Sequence, residues 1–356
     1  MKFEQETLVI MSPGFPKDEE DSTCLPAQQS FVRLAASQFP GIQLIILSFE
    51  YPFRTDEYYW NGIRVIPFNG RSKNRIQRIF LWMKIWQTLK TLKKKNNLIG
   101  ILSFWCTECA FIGQWFGKFN RIKHLSWISG QDAKKQNGYI RFMKLKSENL
   151  IAMSDFLQAE FLKNHGIRAT YVIPIGIEPA QYSFSRAGKD IDLMGAGSLI
   201  PLKQFDVFVS VVRKILAALP ETKSYICGEG PAMNELKEQI KQVGINGQLV
   251  LAGKKKHQEL LEMMGRTKVF LHTSSYEGFG AVCIEALYAG AHVISFTQPV
   301  SAWIRHWHVV KDEEEMCKKA IELLQDPETS YSTSAPFLMS DTVRKIIGLY
   351  QNQELN

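Results

Sequence analysis

Short apolar runs rich in Ile, Val and Leu alternate along the chain with longer stretches of helical periodicity, almost from one end to the other. Runs of that kind suit strands buried on both faces, and their alternation with helices predicts parallel α/β layers. In the first half, strands are expected at 7–11, 42–48, 63–67, 98–103, 124–128 and 150–153, with a helix over 26–38. Ser154 and Asp155 suit the start of a further helix that Gly166 would end. The stretch VIPIGIEPAQYSFSRAGKD (172–190) has no clear period and is punctuated by Pro174, Gly176, Pro179 and Gly188, which marks a linker. A second series follows, with strands expected at 191–195, 223–227, 248–252, 268–271 and 292–296, and helices at 203–219, 232–243, 257–265 and 279–289. The pattern predicts two Rossmann-like domains, 1–175 and 186–330, with a cleft between them and ligands at the carboxyl ends of the strands. Two more helices are expected at 312–324 and 341–350.

Composition agrees with two domains. A chain of 356 residues that is 45% hydrophobic can bury a large core, which excludes a single small module. The balance of 43 Lys+Arg against 35 Asp+Glu points to an anionic partner: phosphate, nucleic acid or a membrane surface. Glu4 and Glu6 precede a short apolar run that ends at Pro13, so the start lacks the form of a secretion signal and a cytoplasmic protein is expected. The apolar stretch 98–116 is interrupted by Ser103, Glu108 and Gln114, which favours a strand and a helix over a membrane span. Six cysteines without secretory context argue for reduced thiols, and none has partners at zinc spacing. Cys106 and Cys109 form a Cys-x-x-Cys at a strand end, the pattern of a dithiol redox site, although the apolar residues behind them would equally serve a buried helix.

The chemistry concentrates in LHTSSYEGFGAVCIEALYAGAHVI (271–294). Glu277 falls in the loop after a strand, and Gly278 and Gly280 let backbone approach a ligand where a side chain would block it. Free amides from Gly278 through Phe279 and Gly280 to Ala281 would open the next helix, and a helix N-terminus attracts phosphate or hydroxyl oxygens. Glu285 would project about 8–10 Å further along that helix, a span that suits a diphosphate. Each carboxylate could then accept hydrogen bonds from one hydroxylated end of a nucleotide sugar. The same letters would also serve a solvated loop acid and a helix-surface acid. Two more glycine-bearing turns follow strands in this half: Gly195-Ala196-Gly197-Ser198-Leu199, with Lys203 placed to neutralise phosphate, and Cys227-Gly228-Glu229-Gly230-Pro231.

With GSLIPLKQFD (197–206), CGEGP (227–231), the LAG turn (251–253) and EGFGAVCIE (277–285), the chain resembles the nucleotide-sugar-dependent glycosyltransferases of family 4. SPGFPKDEEDSTCLPAQ (12–28) looks like that family's acceptor-side loop, and SGQDA (129–133) stands where many members carry His-Gly-x-Asp. The resemblance implies the α/β arrangement called GT-B, two facing Rossmann-like domains with a terminal helix, about 338–356, crossing back to the first. It also implies sugar transfer with retention to a glycan or lipid-linked acceptor in cell-surface polysaccharide or glycoconjugate synthesis, with no cofactor and no metal. Carried over residue by residue, it places Glu277 by the donor sugar, Glu285 on the ribose and Lys203 on the diphosphate. Phe279, Gly280 and Ala281 would offer amides, and Gly14, Phe15 and Asp132 would lie on the acceptor side. Ser198 replaces the Arg of many members, so one phosphate contact would be missing or supplied elsewhere, by Lys254 or Lys255.

The segment 71–95, RSKNRIQRIFLWMKIWQTLKTLKKK, holds nine Lys+Arg and no acid. Ile76, Ile79, Phe80, Met83 and Trp86 share one helical face, and Trp82, Ile85, Leu89 and Leu92 extend it. Such a helix suits an anionic membrane surface at the inner face of the membrane, or a place in the core of the first domain. The basic balance would also fit nucleic acid, but no recognisable RNA or DNA module accompanies it, and no nucleic-acid partner is expected.

Overall fold

The computed structural model describes residues 5–182 and 188–351, and the chain divides into two compact units. The first runs to Ile175 and takes up the segment from Met339 onward, while the second spans Gly176–Leu338. The expected second-domain start at 186, the linker's 183–187 stretch, Glu4 and the end of the terminal helix beyond 351 lie outside the described residues.

In chain order the first unit contains β1 (Glu6–Gly14), α1 (Pro26–Gln38), β2 (Ile42–Tyr51), β3 (Tyr58–Trp60), β4 (Ile63–Pro67), α2 (Arg75–Lys95), β5 (Asn97–Phe104), α3 (Glu108–Asn120), β6 (His124–Ile128), α4 (Ile140–Met143), β7 (Leu150–Ala152), α5 (Asp155–His165) and β8 (Tyr171–Val172). The second contains β9 (Ile191–Ala196), α6 (Phe205–Ala218), β10 (Ser224–Cys227), α7 (Met233–Gln242), β11 (Leu249–Gly253), α8 (His257–Gly265), β12 (Thr267–His272), α9 (Ala281–Tyr288), β13 (His292–Ser295), β14 (Trp307–Val309) and α10 (Glu313–Gln325). A last helix, α11 (Met339–Gly348), belongs to the first unit.

The second sheet has the order β11-β10-β9-β12-β13-β14, with every neighbouring pair parallel. Numbered within the unit, that is 3-2-1-4-5-6, the Rossmann order, whose direction reverses between β9 and β12. The first sheet, β3-β4-β2-β1-β5-β6-β7-β8, reverses in the same way between β1 and β5. Only its edge pair β3/β4 is antiparallel. Strand residues such as Val9, Ile45 and Ile101, and Leu193, Val269 and Ile294, are fully buried, as strands covered on both faces require.

Helix α6 shows how the second core is built. Phe208, Val209, Val212 and Ile215 recur at helical spacing and pack with Leu193 and Val269 of the sheet. The helix expected from Lys203 begins two residues later. Pro201–Lys203 form a single 3-10 turn, and Gln204, left-handed at φ 47, separates that turn from the helix proper.

Helix α2 resolves its two readings by face. Leu81, Ile85, Leu89 and Leu92 are buried and pack with Ile112 and Phe116 of α3, whereas Ile76, Ile79, Phe80 and Met83 are exposed. Of the expected apolar face, Ile85, Leu89 and Leu92 form the seam, joined by Leu81 and lined by the sheet as well as by α3. Trp82 packs on Phe111 at 5.2 Å and Trp86 on Phe116 at 5.1 Å.

Helix α11 completes the first unit. It packs on α1, the Thr342 hydroxyl donates to the Pro174 carbonyl (2.7 Å), and the Tyr350 hydroxyl donates to Ile101 O (2.8 Å). Gly100 is required beneath it, since a Cβ there would stand 2.2 Å from the Tyr350 ring.

Candidate active site

Ligands of open parallel sheets bind beyond the carboxyl ends of the strands where strand order reverses. In the second unit that point lies between the loops after β9 and β12, which hold Lys203 and Glu277. The two loops are tied by backbone as well as side chain: Ser275 N donates to Leu202 O (3.2 Å), and the Thr273 hydroxyl donates to Lys203 O (2.9 Å). Across this seam Lys203 Nζ stands 2.5 Å from Glu277 Oε2. His272, the last residue of β12, reaches the same oxygen with Nε2 at 3.2 Å and lies 3.2 Å from the Ser274 hydroxyl.

Glu277 is 19% exposed and Lys203 21%, so both are sheltered yet open to a ligand. Burial alone would raise the Glu277 pKa, but the His272 hydrogen bond and the Lys203 charge outweigh it and hold the acid at about 2. Glu277 is therefore a fixed carboxylate at neutral pH. It can accept hydrogen bonds from hydroxyls and stabilise positive charge, but it has no proton to donate as a general acid.

Beside this cluster, α9 begins at Ala281 rather than Phe279, because Gly280 takes a left-handed conformation (φ 77) and stops the helix from extending backwards. Helix geometry leaves the Ala281 and Val282 amides without intrahelical acceptors. Glu285, one turn on, is paired with His257 at the start of α8 (Nε2 to Oε1, 2.9 Å), and both side chains are only about one-seventh exposed.

Residues 181–334 match the family model described as glycosyl transferases group 1. This region belongs to the glycosyl transferases group 1. The phosphatidylinositol N-acetylglucosaminyltransferase gpi3 subunit of Schizosaccharomyces pombe is 30% identical over 273 residues, covering 72% of this chain and 59% of that protein. The 2-deoxystreptamine N-acetyl-D-glucosaminyltransferase of Niallia circulans is 27% identical over 162 residues, 46% of this chain and 39% of that protein. The chain thus spans between about two-fifths and three-fifths of these relatives' lengths. Among solved structures, sucrose-phosphate synthase from Thermosynechococcus elongatus superposes with a TM-score of 0.68 at 17% identity, covering 98% of this chain and 94% of that one. Anabaena HepE in complex with UDP-glucose gives 0.66 at 15% identity, covering 98% and 97%. At such identities these matches establish the fold, the one expected from the resemblance.

Within the group 1 region, two glycines expected on the donor side are packed closely against other backbone. A Cβ on Gly228 would lie 1.8 Å from Gly197 O, and one on Gly230 would lie 2.4 Å from Leu199 O. The β9 and β10 loops interlock there through Gly197 N to Cys227 O (3.0 Å) and Leu199 N to Glu229 O (2.9 Å). Their glycines are what lets the two loops pack this closely. Phe279 is 4% exposed with its ring 5.8 Å from that of Phe337, so its contribution to a ligand is limited to backbone, as is that of Gly278. Ser198 and Lys254 are exposed, and Lys255 is half-buried near Cys227.

Two of the three residues expected on the acceptor side, Phe15 and Asp132, are core residues of the first unit. Phe15 is fully buried with its ring edge-on to Trp60 at 5.0 Å, and Gly14 is paired with Tyr51 at the end of β1. Asp132 is likewise fully buried. Its Oδ2 accepts from Ser129 N (2.7 Å), its backbone carbonyl accepts from Asn137, and burial pushes its pKa up to about 6. Asp132 organises its own loop, because a carboxylate without solvent access cannot meet an acceptor.

The dithiol reading also meets burial. Cys106 and Cys109 are buried and unpaired, and burial pushes both thiols well above their ordinary pKa, the reverse of a reactive thiolate. Of the six cysteines only Cys24 is partly accessible. Titration of the folded protein with an aromatic disulfide reagent is expected to label one thiol rapidly and the other five only after denaturation. Rapid labelling of Cys106 or Cys109 would restore the redox reading.

Sequence reasoning missed His272 and His257. A polar residue closing the otherwise apolar run before Glu277 was the available signal for His272. For His257 there was none beyond its place after Lys254–Lys256, because its partner lies 28 residues away. Among the described residues no group of three or more His, Cys, Asp or Glu could hold a metal ion, and no helix is long and apolar enough to cross a membrane.

Proposed function

We propose that this chain is a glycosyltransferase that moves a sugar from a nucleotide donor to a glycan or lipid-linked acceptor, with retention of configuration. The observation that carries the reading is the Lys203–Glu277–His272 cluster at the strand-order reversal of the group 1 region. Glu277 would accept from hydroxyls of the donor sugar, and Glu285, held by His257, from the ribose. As the glycosidic bond breaks, negative charge grows on the departing diphosphate. Lys203 and the amides of Ala281 and Val282 would meet it with preorganised positive ends, and stabilisation of that kind is often the main source of an enzyme's rate enhancement. Closure around both substrates would exclude water and limit hydrolysis.

Both named relatives transfer N-acetylglucosamine, and HepE binds UDP-glucose, which makes UDP-linked hexoses and N-acetylhexosamines the first donors to try. The exposed Ile76, Ile79, Phe80 and Met83 on basic α2 support an acceptor presented at an anionic membrane surface. In a thermal-shift screen of sugar nucleotides, one donor at one hundred times its dissociation constant should add about 2.7 kcal/mol of stability, and the same donor should yield nucleoside diphosphate on turnover. A panel in which no sugar nucleotide stabilises the protein would defeat the proposal.

A further inference from the structure

A cavity lies in the first unit, where α2, α3 and α4 meet. Its volume is about 610 Å³, within the range of ligand pockets, and it is walled by the rings of Trp82, Phe111, Trp115, Tyr139 and Phe142. The polar handles of this wall are already engaged. The Trp82 indole N–H donates to buried Glu108, and that of Trp115 donates to Phe142 O (3.2 Å). What remains is ring surface, which favours an apolar occupant without hydrogen-bonding groups of its own.

The rim has the opposite character. Lys118 Nζ stands 5.1 Å from the Trp115 ring centroid, and the Arg141 guanidinium stands 4.5 Å from that of Phe142. Between 71 and 146 the sequence carries seventeen Lys+Arg and two acids, Glu108 and Asp132. Both acids are buried, and Glu108 is already paired with Arg78 at 3.2 Å. A field of that sign repels a cationic guest from the aromatic walls and attracts an anionic headgroup to their edge. On α2, whose Trp82 forms part of the wall, the exposed Ile76, Ile79, Phe80 and Met83 offer further apolar surface.

We infer that this cavity takes an acyl chain of an anionic membrane lipid, whose headgroup pairs with Lys118 and Arg141 while the exposed face of α2 rests on the bilayer. The inference rests on the membrane part of the functional proposal and goes further by naming the pocket, the chain and the two cations. It does not depend on the donor site, which the sugar-nucleotide thermal shift reads without lipid.

The test uses the full chain with vesicles of phosphatidylglycerol in phosphatidylcholine, carrying bromine on the acyl chains. Binding should require phosphatidylglycerol, and bromine should quench tryptophan emission. Trp115→Phe should remove a large share of the quenched emission. Gly138→Leu, at a wall position where an added Cβ meets nothing within 4 Å, should fill the pocket, so that vesicles still bind but quenching is lost. Lys118→Ala with Arg141→Ala should weaken vesicle binding about 30-fold, the effect of two basic residues near a charged surface. Unchanged melting temperatures would show the variants to be folded. Equal binding to pure phosphatidylcholine, binding without quenching, or quenching indifferent to both Trp115→Phe and Gly138→Leu would overturn the inference.

Discussion

Lys203→Ala is expected to lower the turnover of nucleotide-sugar cleavage by about 10²–10³-fold, the usual loss when one preorganised group facing developing charge is removed. The lysine is 21% exposed and its ammonium sits 2.5 Å from Glu277, so the substitution removes a positive charge from the point where the donor diphosphate would depart. It also leaves Glu277 sheltered with His272 as its remaining partner, which costs stability because an unpaired buried charge is unfavourable. The two effects separate in a double-mutant cycle. Adding Glu277→Gln to Lys203→Ala should recover part of the lost stability while turnover stays low. Turnover that remains within threefold of wild type in Lys203→Ala would remove this lysine from the catalytic assignment. The ties from Ser275 N to Leu202 O and from the Thr273 hydroxyl to Lys203 O do not involve the lysine side chain, so the loops should keep their places.

Gly228→Ala is expected to destabilise the second unit by about 3 kcal/mol or more, lowering its melting temperature by about 6–12 °C. Two costs coincide at this position. The new Cβ would lie 1.8 Å from Gly197 O, and the backbone sits at φ 153, a conformation that residues with a side chain rarely adopt. Neither neighbour is a flexible side chain that could swing aside, so the β9 and β10 loops must separate. Gly247→Ala is the matched control: a Cβ there meets nothing within 4 Å, and its effect should stay within about 0.5 kcal/mol. Calorimetric melting of both variants checks the pair, and equal melting temperatures would refute the interlocking of these loops.

Much of the fold is legible because its strands are apolar throughout and its helices are punctuated. The element over 26–38 and the strands at 63–67 and 124–128 fall where the apolar runs place them, and Ser154 caps α5 by accepting from Leu157 N. The pieces that escaped are short and tertiary in origin. β3, β8 and β14 have only two or three residues each, too few to set a period, and exist because a neighbouring strand offers its edge. The same distinction divides the site. Glu277, Glu285 and Lys203 were visible as charged residues at strand ends and glycine turns. Phe15 and Asp132 misled because a residue at a strand end can point inward as readily as outward, and no local pattern records which. The Phe15 ring against Trp60 and the approach of His165 to the Asp132 carbonyl (3.2 Å) are contacts distant in sequence.

The allocation of α11 to the first unit has a temporal consequence. Tyr350 covers Gly100 and bonds to Ile101, so the N-terminal fold keeps an open seam during translation until the chain has grown through Tyr350. All of Gly176–Leu338 is synthesised before that seam can shut. The half that is begun first is thus completed last, and a nascent chain halted just after Leu338 would carry all of the second unit beside an N-terminal fold still missing its closing helix.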